Sequence, residues 1–216
     1  MAHQIIRVVR GSFFLVVILS ITSVPAAADV HTIQVNEFYT QCDDGSVAVQ
    51  YIELKVYQFS QFFRQCASIQ IKRTVAGPDV FFAKPVFVGH SDGEAFNKNK
   101  TFLIATASFQ SIVGVVPDLL IPDGILDPAG GVIRFAADSG CALNFGTIHL
   151  VAYGDQGTVP APGPNQSANL TAFLGSFTLG SPTPRNFANN QSLSWTCLPV
   201  PVEETTWGHI KSLYDQ

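Results

Sequence analysis

Apolar positions along this chain fall in short runs separated by turn residues, and few follow a helical period. The runs are HTIQVNEFY (31–39), VAVQYIELKVY (47–57), ASIQIKRTV (67–75), VFFAKPVFV (80–88), TFLIATASF (101–109), GVIRFAA (131–137), GTIHLVAY (146–153) and SLSWTCLPV (192–200). CDDGS (42–46), AGPD (76–79) and SDGE (91–94) break them, as Gly, Asp and Pro do where a chain reverses. Val, Ile, Phe and Thr dominate the runs, which suits a pleated, half-buried surface. Many short strands between turn signals predict an all-β protein, an antiparallel sandwich or barrel.

Helical spacing is confined to two places. Residues 106–116 (TASFQSIVGVV) allow one short helix before Pro117. In the tail, residues 201–216, the spacing of Trp207, Ile210, Leu213 and Tyr214 predicts a short C-terminal helix. Two connections are long. Residues 117–131 are rich in turn residues yet apolar, and are expected to pack. Residues 154–169 are polar with Gly and Pro throughout, and are expected to be an exposed or mobile loop.

One acid stands inside an apolar run. Strand alternation places Val47, Val49, Tyr51, Glu53 and Lys55 on one face, and Ala48, Gln50, Ile52, Leu54 and Val56 on the other. Glu53 is therefore expected on the less buried face, paired across strands with Arg73 or Arg134. Such a pair contributes roughly 0.2–1 kcal/mol. A catalytic acid needs a second group within reach, and none is visible beside it.

The first 28 residues form a different unit. Arg7 and Arg10 precede the apolar run at 13–21, and small residues follow with Ala26 and Ala28 in A-x-A spacing. That is the pattern of a cleaved secretory signal peptide, with an apolar run well below the roughly 20 residues that span a bilayer. A mature chain starting at Asp29 is expected, secreted and without a transmembrane span. Without the two leader arginines, 10 basic and 16 acidic residues remain, a net charge of −6. Nucleic acid is not an expected partner, because it calls for a clustered basic face. Cys42, Cys66, Cys141 and Cys197 all follow the leader, with no CxxC pair and no zinc-site spacing. An even count in an oxidising compartment predicts disulfides. Of the three possible pairings, Cys42–Cys66 with Cys141–Cys197 closes the two most compact loops.

Candidate chemistry is sparse. His90, Asp92 and Glu94 in GHSDGEAF could clasp a cation, although calcium wants six to eight oxygens. Asp118, Asp123 and Asp127 form a looser acidic set. No metal and no cofactor is expected; His90, Asp92, Glu94, Asp123 and Asp127 are the residues that would hold a metal. Asp138, Ser139 and Gly140 lack the surroundings of a protease triad, which geometry and not a tripeptide defines. His149 lies in a strand, where an imidazole is expected to pack. There is no G-x-S-x-G, no H-E-x-x-H and no phosphate-binding glycine loop. N-x-S/T sites occur at Asn99, Asn165, Asn169 and Asn190.

YIEL (51–54), FLIAT (102–106), LDPAGGVIRF (126–135) and LGSPTPRN (179–186) together resemble the exported bacterial relatives of the lamin-tail domain. The resemblance implies an immunoglobulin-like sandwich over residues 29–200, with no catalytic residue to carry over. It departs from the family where Lys55, Val56 and Tyr57 follow the strand motif in place of an Asn. The expectation is a non-catalytic exported binding or structural module, its partner a protein or a surface polysaccharide. A carbohydrate-binding sandwich would need exposed aromatics, which only YQFSQFF (57–63) could supply. A metal-dependent hydrolase would need the His90, Asp92 and Glu94 segment to meet the loop holding Asp118, Asp123 and Asp127.

Overall fold

The computed structural model describes residues 32–42, 45–58, 67–83, 98–137 and 146–191. The chain is an all-β sandwich of two sheets. The first sheet holds β1 (Ile33–Tyr39), β2 (Tyr51–Val56), β5 (Thr101–Thr106), β6 (Leu119–Ile121), β9 (Ser167–Leu170) and β10 (Phe177–Gly180), in the order β10-β9-β1-β2-β5-β6. The second holds β3 (Ala67–Lys72), β4 (Asp79–Ala83), β7 (Gly130–Ala137) and β8 (Gly146–Gly154), in the order β4-β3-β7-β8. Neighbours are antiparallel except β5 and β6. The single helix among the described residues, α1 (Ala107–Val113), leaves directly from β5.

Alternation explains the layer between the sheets. Ile33 and Val35 of β1, Ile52, Leu54 and Val56 of β2, and Phe102 and Ile104 of β5 meet Ile69, Ile71, Ile133, Phe135, Val151 and Tyr153 of the other sheet, all buried. The first sheet has a second apolar surface on its far side. There Tyr39, Val49, Tyr51, Leu103 and Ala105 pack under Phe109 of α1 and Val115. Both faces of β2 are consequently buried, a pattern more usual for central strands of covered sheets.

A bulge in β1 decides which way its acid points. Register with β2 shifts between Val35 and Glu37, so Asn36 is an extra residue. Without it, Glu37 would share the inward face of Ile33 and Val35. With it, Phe38 turns inward and Glu37 lies on the outer face opposite Glu53. The bulge frees the Val35 amide, and His149 of β8 meets it: Nδ1 accepts that N–H at 3.0 Å. The imidazole therefore packs between sheets, its pKa lowered by burial to about 4.

Several expectations shift. The run at 101–109 divides at Thr106, because the Thr106 hydroxyl bonds across to the Gln50 backbone and the strand yields to α1. Gly114 ends the helix in the left-handed conformation, its N–H returning to the Gln110 carbonyl at 3.0 Å. The apolar connection 117–131 packs and contributes β6. Residues 154–169 are not simply exposed: Val159 and Ala161 rest on the core, Pro162 accepts from Thr40, and β9 begins at Ser167. The expected strand at 192–200 and the tail helix lie outside the described residues. Among the described residues no helix is long and apolar enough to cross a membrane.

Candidate functional site

Glu53 is buried on the outer side of the first sheet, 3% exposed. That corrects the expectation of a solvated strand charge. Neither proposed arginine meets it: Arg73 pairs with Asp127 at 2.8 Å, and Arg134 bonds Gln70 and Thr147. The physical reason is a cover that alternation along β2 alone does not reveal. Residues 181–187, SPTPRNF, cross the outer face of β1, β2 and β5 as a strap.

The strap is held by carboxylates. Glu37 Oε1 accepts the Thr183 N–H at 2.8 Å, and Oε2 accepts the Thr183 hydroxyl at 3.0 Å. Glu53 Oε2 accepts the Arg185 N–H at 2.7 Å. Asp118 Oδ2 accepts the Phe187 N–H at 2.9 Å and also the Leu103 N–H of β5 at 2.8 Å. Amides at 183, 185 and 187 thus meet acids on successive elements. Pro182 and Pro184, ahead of Thr183 and Arg185, have no N–H to satisfy, and the Asn186 N–H donates to the Asn190 carbonyl at 3.1 Å. From Pro182 to Arg185 this backbone offers donors on one side only, and that side faces the acids.

A second set of bonds fixes the acids. The Tyr51 hydroxyl donates to Glu37 Oε1 at 2.6 Å; burial, then the Glu37 charge, pushes its phenol well above the usual tyrosine range. Asn36, the extra residue of the bulge, donates Nδ2 to Glu53 Oε1 at 2.6 Å, while its Oδ1 accepts from the Tyr57 hydroxyl at 2.8 Å. Glu53 has its pKa raised to about 8, first by burial and then by Glu37 opposite it; the Arg185 and Asn36 donors only partly oppose this. Burial thus favours its protonated form.

Beside Glu53 lies a polar cleft of about 310 Å³. Asn36, Glu53 and Lys55 line it from β1 and β2, Asn99 from the approach to β5, Thr101 from β5 itself, Thr183 and Arg185 from the strap, and Gln191 from the segment beyond the strap. Lys55 Nζ sits 5.3 Å from the centre of the Tyr57 ring. An Arg185 terminal nitrogen donates to Gln191 Oε1 at 2.5 Å. Neither cation forms an ion pair among the described residues.

The other expected site residues have separate employment. Asp123 accepts from Ser108, Asp127 pairs with Arg73 and takes the Ala129 N–H, and Asp118 belongs to the strap. Among the described residues no three His, Cys, Asp or Glu side chains gather as a metal site would require. His90, Asp92, Glu94, Asp138, Ser139 and Gly140 lie outside the described residues, as does YQFSQFF beyond Tyr57 and Gln58. Tyr57 packs its ring 5.5 Å from that of Phe173. Cys42 is buried and disulfide-bonded, while Cys66, Cys141 and Cys197 fall outside the described residues.

Asn36, Glu37 and Gln191 are not singled out by the sequence pattern. The signal that could have found the strap is the alternation of Pro182 and Pro184 ahead of Arg185. A scan against protein-family models gives no match, and neither does a search of the curated proteins.

Proposed function

We propose that this protein is an exported, non-catalytic binding or structural module acting at or beyond the cell surface, with a protein or a surface polysaccharide as partner. The observation that carries the reading is the use of its buried acids. Glu37, Glu53 and Asp118 each accept a strap backbone N–H at 2.7–2.9 Å, so the carboxylates brought together serve the fold. The N-terminal leader pattern supports export, and the net negative charge argues against nucleic acid. The lamin-tail resemblance supports an interaction role, and its S-P-T-P-R-N segment coincides with the strap. The proposed disulfides are Cys42–Cys66 and Cys141–Cys197.

Thermal unfolding of residues 29–216 with calcium, zinc, EDTA and a set of polysaccharides tests this. A ligand of the folded state at 100 times its Kd adds about 2.7 kcal/mol, enough to raise Tm visibly. No dependence on metal is expected; a rise with polysaccharide identifies a carbohydrate partner, and a flat panel points to a protein partner. A rise with calcium or zinc that EDTA reverses would overturn the reading. It would favour a metal-dependent hydrolase using His90, Asp92, Glu94, Asp123 and Asp127.

A further inference from the structure

We infer that the cleft beside Glu53 binds a small hydroxy-carboxylate, the chemistry of a uronic acid. This rests on the binding-module reading and names the ligand class for it. Two cations point the way. Lys55 and Arg185 both line the cleft, and neither forms an ion pair among the described residues, although Arg185 lies near enough to Glu53 to lower its pKa. An arginine presents five donors in a planar fork that suits a carboxylate, and the Gln191 contact engages only one terminal nitrogen. On a chain of net charge −4, two unpaired cations at one cleft create a local positive field that attracts anions.

Burial opposes ionisation of the one acid that lines the cleft, Glu53, and so limits how far it offsets that field. Asn99 adds an amide that both donates and accepts, Gln191 adds its Nε2 donors, and the Thr101 hydroxyl, which donates to the Asn186 carbonyl, can still accept. A volume of about 310 Å³ lies at the low end of the roughly 300–1,000 Å³ found for small-molecule sites. That suits one ring and excludes a polymer lying wholly inside. The polar lining disfavours an aliphatic or aromatic ligand.

The test is a ¹H–¹⁵N titration of the leader-free chain with sodium glucuronate, sodium gluconate and glucose. Glucuronate is expected to shift the amides of Lys55, Asn99 and Arg185, and glucose to leave them in place. Lys55→Gln and Arg185→Gln should each weaken glucuronate by about tenfold, the usual loss of a charge-assisted hydrogen bond. Arg185→Gln keeps the backbone N–H on Glu53, so the strap survives, and an unchanged Tm verifies folding. Raising the pH past about 8 should weaken binding further, as Glu53 ionises among Glu37, Tyr51, Tyr57, Lys55 and Arg185. Binding of gluconate as well supports a free open-chain acid; binding of the ring form alone supports a uronic residue of a polysaccharide. Equal shifts from glucose, no shift from either acid, or indifference to both substitutions would overturn the site. A polysaccharide that raises Tm without disturbing these amides would overturn this site and leave the module reading standing.

Discussion

Glu53 and His149 are pushed in opposite directions by the same cause. Glu53 is raised from about 4.5 in the unfolded chain to about 8, so its contribution to stability is whole below pH 4.5 and is lost as pH rises to about 8. His149 is lowered from about 6.5 to about 4, so its contribution is present above pH 6.5 and is lost as pH falls toward 4. Between pH 4.5 and 6.5 the two slopes oppose each other, and stability should form a dome with a shoulder there. Shifts of this size correspond to a few kcal/mol on each limb, on the order of 1.4 kcal/mol per unit. Thermal unfolding from pH 3.5 to 9 should show both limbs. Glu53→Gln is expected to flatten the alkaline limb, and His149→Asn the acid one. A Tm profile that Glu53→Gln leaves unchanged would show that Glu53 is not the group that titrates.

At the scale of elements the strap is the unusual piece, since it is fixed like a strand without belonging to either sheet. Hydrogen exchange should find the amides of Thr183, Arg185 and Phe187 nearly as protected as those of β1 and β2. Arg185→Pro, which removes the N–H that Glu53 accepts, should cost about 1–3 kcal/mol and expose the other two amides. Fast exchange at all three positions in the unaltered chain would contradict the arrangement. The sequence pattern reaches β1, β2, β3, β4, β5, β7 and β8 because each carries five or more residues of strand character. It misses β9 and β10, whose SANL and FTLG hold too few apolar residues to register. It marks the acid at 53 but misjudges its surroundings, because the strap that buries it lies 132 residues away. Glu37 is invisible for a sharper reason. Its outward direction depends on the bulge at Asn36, and a bulge reverses alternation without changing composition.

For the whole molecule, a covalent staple adds to what the distant contacts of the sandwich supply. Cys42 lies in a disulfide beside the second core, next to Tyr39 and Val49. Peptide mapping without reduction should recover Cys42 with Cys66 and Cys141 with Cys197. Reduction should lower unfolding free energy by about 3–4 kcal/mol for each bridge. Recovery of Cys42 with Cys141 or Cys197 would reject that pairing. The strap has a further bearing on the order in which the molecule is assembled. Synthesis proceeds from the N-terminus at roughly 5–20 residues per second, so Glu37 waits on the order of ten seconds for Thr183, 146 residues later. On a sheet formed before the strap arrives, Glu37 and Glu53 would lie side by side facing water. Burying them without donors costs several kcal/mol, which sets a barrier against premature closure. The same acids that seal the finished sandwich thus disfavour its closure before the strap arrives.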